Sequence, residues 1–163
     1  MKFDETKFSI TKPTLSDIPS MRNLILPEVQ RGIILDRTED EMASAIRSYS
    51  VVRANFGVDS GKIIAFSALH IHSMNLAEVR SLIVGESYRR LGIATALILR
   101  LIKEGESLNL KEILTLTYQK EVFSKIGFKE IAKDSLPNQK IWADCVKCKK
   151  FPICDEIALL KTL

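Results

Sequence analysis

"ESYRRLGIATALILRLIKEG", residues 86–105, is the stretch on which the reading of the fold turns. Two arginines, Arg89 and Arg90, and a lone Gly92 stand directly before an apolar run with helical spacing. A helix start leaves its first amide N–H groups without intrahelical partners, and the macrodipole adds partial positive charge there. Gly92 lets a ligand approach the backbone with no Cβ in the way, and Ala94 and Thr95 are also small. The turn therefore suits a pyrophosphate lying on the amides of Leu91, Gly92, Ile93, Ala94 and Thr95, with Arg89 and Arg90 adding side-chain donors. The plainer alternative is a solvated turn carrying two surface arginines. A Walker loop is excluded because no G-K-[ST] follows, and a dinucleotide fingerprint because only one glycine is present.

Working outward, residues 92–110 predict a long helix with a stripe of Ile93, Ala96, Leu97, Leu101 and Leu108. Before it, residues 50–56, 62–72 and 77–84 are β-rich and read as an antiparallel meander. After it, "EILTLTY" (112–118) is a short buried strand, and 119–127 a short helix closed by Gly127. "FKEIAK" and "QKIWAD" read as the last two strands, and the tail from Lys149 to Leu163 is left open as strand or partner contact. Towards the N-terminus, "FSITK" (8–12) reads as a first strand. Residues 14–30 space Leu15, Ile18, Met21, Leu24 and Ile25 as a helix, with Ser16 as its cap. A second helix opens at Thr38, which with Glu41 fits a capping box.

The order is β-α-α-β-β-β-α-β-α-β-β. A strand, helix and strand across 77–118 imply a right-handed parallel crossover inside a mixed, mostly antiparallel sheet with helices on both faces. All 163 residues fit one α/β domain.

The composition is 46% hydrophobic and 27% charged, enough for a sizeable core. The net charge of +4 is spread along the chain without a basic block, so neither nucleic acid nor a membrane is expected as partner. No apolar run reaches the length of a membrane span, and "MKFDETKFSITK" lacks a signal-peptide core. A cytoplasmic setting follows as the default. A homodimer is left open. Cys145, Cys148 and Cys154 are an odd set for a disulfide framework. Their C-x2-C-x5-C spacing, with His70 or His72 as fourth ligand, would make a zinc site. The competing reading is reduced thiols with strand histidines, and no metal is expected.

With order and motif in hand, "RRLGIA" resembles the R/Q-x-x-G-x-G/A motif of the GNAT superfamily of acetyl-CoA-dependent N-acyltransferases, whose element order is the same. Arg89, Gly92 and Ala94 are the matching positions. "ALHIHSMNLAEVRSLIV", "LTYQKEVFSKIGF" and "KIWADCVKCKKFPICDEIAL" together resemble the acetyltransferase module of bacterial N-acetylglutamate synthases, in its short stand-alone form. The resemblance implies acetyl-CoA as co-substrate, its pyrophosphate on the 89–95 turn and its pantetheine beside Leu82, Ile83 and Val84, one of whose amides serves as oxyanion donor. It implies acetylation of the α-amine of L-glutamate, for arginine biosynthesis, by direct amine attack on the thioester. The full-length synthases carry a kinase-like domain that binds arginine. A chain of 163 residues has no room for it, so no arginine inhibition by that route is expected.

Site residues follow from the same resemblance. Glu78 is the implied general base, and beside a partly dry cleft a carboxylate would titrate high enough for that role. Arg37 matches a basic position that the glutamate-acetylating family uses for substrate. Arg80, two residues past Glu78, shares its face if no bulge intervenes, and either holds a substrate carboxylate or pairs with Glu78. Lys140 is a third cation. Where the superfamily carries an acidic tyrosine before the "GF" pair, this chain has Phe123, which cannot donate a proton. Tyr118 is the nearest substitute, or the thiolate leaves unassisted. Two further readings stay open: a GNAT enzyme for another amine (another amino acid, a polyamine or a protein lysine), and a non-catalytic acyl-CoA-binding sensor.

Overall fold

A computed structural model describes residues 2–137, 144–147 and 154–163. Among them, seven strands form one sheet in the order β1-β2-β3-β4-β5-β7-β6. The strands are β1 (Phe8–Thr11), β2 (Tyr49–Ala54), β3 (Ile63–Ile71), β4 (Leu76–Val84), β5 (Glu112–Thr117), β6 (Lys129–Ile131) and β7 (Ile157–Thr162). The helices are α1 (Ile18–Gln30), α2 (Glu39–Ser44), α3 (Ile93–Ser107) and α4 (Lys120–Ser124). Among the described strands, only β4 and β5 pair in parallel. That parallel step is the crossover through α3, and the element order is the one the sequence predicts.

Helices cover both faces because each strand alternates two apolar sets. On one face Tyr49, Val51, Phe66, Ala68 and Ile83 pack against Ile18, Met21 and Ile25 of α1 and Met42 of α2. On the other, Leu69, Ala77, Val79, Ile113 and Leu159 pack against Ile98, Leu101 and Ile102 of α3 and Phe123 of α4. Burial of this kind is the main stabilising term for a sheet between helices.

Two local readings change, and the tail, left open by the sequence, is found to hold a strand. Thr14 and Asp17, rather than Ser16, organise the entry to α1: the Asp17 carboxylate accepts from the Thr14 amide at 2.8 Å, before a 3-10 turn at Leu15–Asp17. The α3 stripe runs through Ile93, Leu97, Ile98, Leu101 and Ile102, while Leu108 lies past the helix end and is 51% exposed. The tail supplies β7, inserted between β5 and β6 and antiparallel to both. Of the expected strand "QKIWAD", all but Asp144 lies outside the described residues. Two other features hold in part, since α4 ends at Ser124 with Lys125 as its C-cap. Thr38 caps α2 by accepting from the Glu41 amide at 3.1 Å. Gly127 takes φ +103° just after α4, a conformation that favours glycine.

Two irregularities in β4 shape its edge. Phe66 pairs with Ile83 but Ala68 pairs with Arg80, so Ser67 faces two residues, Ser81 and Leu82. This β-bulge has Ser81 at φ +57° and is tied by the Ser67 hydroxyl, which donates to the Arg80 carbonyl at 3.0 Å. It switches the parity of the strand. Glu78, Arg80 and Ile83 share the α1 face through their partners His70, Ala68 and Phe66. The second irregularity is a parting. Pairing with β5 stops at Glu78–Leu114, although β4 runs on to Val84 and β5 to Thr117.

The corrected stripe is checked by substitution. Leu101→Ala should lower unfolding free energy by about 2–5 kcal/mol. Leu108→Ala should change it by less than about 0.5 kcal/mol. Denaturant titration of both variants reads the difference.

Candidate active site

Where β4 and β5 part, a cleft of about 780 Å³ opens. Glu78 to Leu82 line one wall and Thr115 to Gln119 the other. The Thr115 hydroxyl donates to the Val79 carbonyl at 3.0 Å, a side-chain bridge at the first position where the ladder has ended. The segment Gly32–Arg37 after α1 and the residues Asp144, Cys145, Cys154 and Glu156 also line it.

Glu78 is 1% exposed as a residue, yet it lines this cleft. Its Oε1 lies 2.8 Å from His72 Nε2, and both side chains are 2% exposed. Arg80 and Glu78 share a face, as expected, because the bulge comes after both. Arg80 does not settle on Glu78, however. Its Nη1 lies 3.2 Å from Asp144 Oδ2, and Arg37 Nη1 lies 3.1 Å from Asp144 Oδ1. The fold thus brings Arg37 and Arg80, distant in sequence, onto one carboxylate. All three side chains are nearly buried, and the Nε of each arginine is buried with no hydrogen-bond partner. Two cations against one anion leave an excess of one positive charge among these three. Burial and the neighbouring Arg37 lower the Arg80 pKa, against the pull of Asp144 and Glu78. Burial pushes the Tyr49 phenol up, with Arg37 and Arg80 opposing.

The other expected residues divide. Tyr118 lines the cleft, and its hydroxyl donates to Asp155 Oδ1 at 2.6 Å. Phe123 also lines it, 1% exposed and edge-on to Phe128. Leu82 faces the cleft, while Ile83 and Val84 continue β4 beyond it. The turn 89–95 lies at the mouth of α3, outside the cleft lining. Gly92 is the N-cap of α3 at φ +78° and Arg90 sits at φ +65°. The first intrahelical bond is Ala96 N to Gly92 O, so Ile93, Ala94 and Thr95 carry the free first-turn amides of an α-helix. The Arg89 guanidinium donates to the Val84 carbonyl at 3.2 Å and lies 3.7 Å from Glu28. Lys140 and Cys148 lie outside the described residues. Cys145 and Cys154 both line the cleft. Among the described residues no three His, Cys, Asp or Glu side chains are placed to share a metal ion. No described helix is long and apolar enough to cross a membrane.

Sequence reasoning missed Asp144 and the use of His72. Nothing local marks Asp144 as the partner of two arginines so far upstream. The signal for His72 is the i, i+2 pair with His70, which the sequence offers either as one metal ligand or as plain strand histidines, and neither reading names a hydrogen bond to Glu78. In the structure the two rings meet edge to face at 4.8 Å, and His72 turns to Glu78.

Comparison with known proteins gives the family. The acetyltransferase (GNAT) family matches residues 19–128. An uncharacterized N-acetyltransferase from Chlorobaculum tepidum is 34% identical over 149 residues, 91% of this chain and 92% of the relative. An amino-acid acetyltransferase from Mycobacterium tuberculosis is 28% identical, over 75% of this chain and 68% of its own length. Among solved structures, N-acetylglutamate synthase from Neisseria gonorrhoeae complexed with coenzyme A and N-acetyl-glutamate superposes with a TM-score of 0.80 at 21% identity. It covers 96% of this chain, which spans 35% of that protein. The chain belongs to the acetyltransferase (GNAT) family.

The histidine beside the site gives a pH prediction. Burial, then Arg80 and His72, push the His70 pKa down from 6.5 to about 4. The fold therefore holds His70 neutral where the unfolded chain protonates. Stability contributed by this group is present above about pH 6.5 and is lost as pH falls through about 4. Thermal unfolding of wild type and His70→Asn between pH 7 and 4 should show a shallower decline in the variant.

Proposed function

Given its membership in the acetyltransferase (GNAT) family, we propose that this chain transfers acetyl from acetyl-CoA to the α-amine of L-glutamate. The carrying observation is the Arg37–Asp144–Arg80 cluster set beside Glu78 at the parting of β4 and β5. A dicarboxylate amine needs fixed cations, and planar guanidiniums suit carboxylates best. The two unpartnered Nε groups leave donors for such a ligand. The known neighbours support the same class, since the Neisseria gonorrhoeae synthase was solved with coenzyme A and N-acetyl-glutamate.

In this reading the coenzyme A pyrophosphate rests on the amides of Leu91 to Thr95, with Arg89 and Arg90 beside it. The pantetheine adds to the unpaired edge of β4, where Leu82, Ile83 and Val84 offer backbone partners. Glu78 takes a proton from the substrate ammonium. The freed nitrogen lone pair attacks the thioester carbon, an amide of Leu82 to Val84 stabilises the oxyanion, and the C–S bond breaks. The thiolate takes its proton from Tyr118 or leaves unassisted. No acyl-enzyme forms. Arg37, Arg80 and Lys140 hold the substrate carboxylates. Cytoplasmic arginine biosynthesis is the setting.

One observation favours a second reading. Asp144 already engages both arginines, which would suit an acceptor with a single carboxylate, such as another amino acid. A thiol-release assay with acetyl-CoA over L-glutamate, L-glutamine, L-aspartate, neutral amino acids, a polyamine and a lysine peptide separates the two. Best turnover on L-glutamate is expected. Best turnover on a polyamine or the peptide would remove the carboxylate roles of Arg37 and Arg80, and no turnover on any amine would point to a sensor.

Two variants test the roles. Glu78→Gln should cut kcat about 100-fold or more while sparing coenzyme A affinity. Arg37→Lys keeps the charge but loses the fork. It should raise KM for glutamate roughly tenfold with KM for acetyl-CoA unchanged.

A further inference from the structure

His72 stands just past β3, in the connection to β4. That connection is fixed by the Leu76 carbonyl, which accepts from the amides of His72 at 2.9 Å and Ser73 at 3.1 Å, and by the Ser73 hydroxyl accepting from Leu76 N. The imidazole is thereby held over β4, with Nε2 at 2.8 Å from Glu78 Oε1. Glu78 lines the cleft and His72 is not among its lining residues. Whatever His72 does at the site, it does through Glu78.

An ionised carboxylate only accepts hydrogen bonds, so with Glu78 ionised the hydrogen of this contact sits on Nε2. A buried carboxylate without donors is pushed towards its neutral form, and a neutral carboxyl cannot act as a base. Among the described residues, the charged and titratable groups around the pair include Arg80 on β4, His70 on β3 and Asp144 from the C-terminal segment. His70 packs edge-on to His72 and pairs across the sheet with Glu78. With a pKa near 4 it is neutral in the working range, and so brings no competing cation to the contact.

We propose that His72 is a positioning residue for the general base, its Nε2–H holding the Glu78 carboxylate ionised and oriented towards the acceptor ammonium. The inference rests on Glu78 being that base. In the proton-transfer step an N–H bond of the ammonium breaks and an O–H bond forms on Glu78. The electron pair stays on the nitrogen, and the His72 proton does not move. A GNAT domain with an apolar residue at this position would have to stabilise its base by other means.

The test compares the pH profile of kcat/KM for the best acceptor in wild type, His72→Leu and His72→Gln. Gln can place an amide N–H where Nε2 stands; Leu cannot. In H72L the acid limb should move up by about one pH unit or more, with the rate near pH 7 falling roughly tenfold. H72Q should recover most of that rate and keep the limb near wild type. Coenzyme A affinity should be the same in all three. If H72L does not fold, as judged by thermal unfolding, His72→Asn replaces it, because its shorter amide cannot reach Glu78. An unmoved acid limb in the donor-less variant would overturn the proposal, as would H72Q matching that variant. Glu78→Gln run alongside separates the two levels. If it retains turnover, the base assignment fails. If it is inactive while the donor-less His72 variant keeps a wild-type profile, only the role of His72 fails.

Discussion

Hydrogen bonding between β4 and β5 ends at Glu78 and Leu114, and the cleft is arranged around that parting. A parallel pair inside a sheet covered on both faces would ordinarily run on, since unpaired backbone groups are costly to bury. Here β5 follows β7, with which it pairs as far as Thr117–Ile157, and β4 follows β3. The Thr115 hydroxyl satisfies the Val79 carbonyl at the fork. Beyond it, the two strand edges become the walls of the cleft. The bulge at Ser81–Leu82 then keeps Ile83 in the α1 core while Leu82 and Val84 turn to the α3 side. Without that extra residue, the alternation that places Glu78 and Arg80 on the α1 face would also carry Leu82 there.

The site gathers charge in a place that is nearly dry. Arg37, Arg80 and Asp144 are each largely removed from solvent, and Glu78 is buried against His72. Charges of this kind add little net stability, because their desolvation offsets much of the attraction. Their persistence in a small domain is easier to understand as preorganisation. Held guanidiniums and a held carboxylate need not reorganise when a charged amine arrives. The arginines come from a loop after α1 and from β4, while Asp144 comes from the C-terminal segment. The cluster therefore exists only once the whole sheet is assembled.

Much of the fold was legible because it rests on local signals. The Gly92 turn, the Thr38 cap, the positive-φ glycine after α4 and the alternating strands each carry their own physics, and together they give the element order. Local signals leave the placement of the tail open. The tail strand β7 sits between two strands that precede it, an insertion that no local pattern announces. Leu108 has the right spacing for the α3 stripe, but the helix ends before it. At the site, Glu78, Arg37 and Arg80 were singled out with the help of family resemblance, and the structure places them in one cleft. Asp144 was invisible because its partners lie far away in sequence. His72 was visible as a residue but not as a hydrogen bond, since a pair of histidines two apart in a strand fits several chemistries.

If, as proposed, the parted edge of β4 and the mouth of α3 form one continuous donor site, both must respond to coenzyme A together. The direct measurement is amide NMR of the uniformly 15N-labelled chain during titration with coenzyme A. Saturable shifts are expected at two places with a common affinity: the first-turn amides Ile93, Ala94 and Thr95, and the strand amides Leu82 to Val84. Shifts confined to one of these places, or absent from both while coenzyme A binds elsewhere, would contradict it.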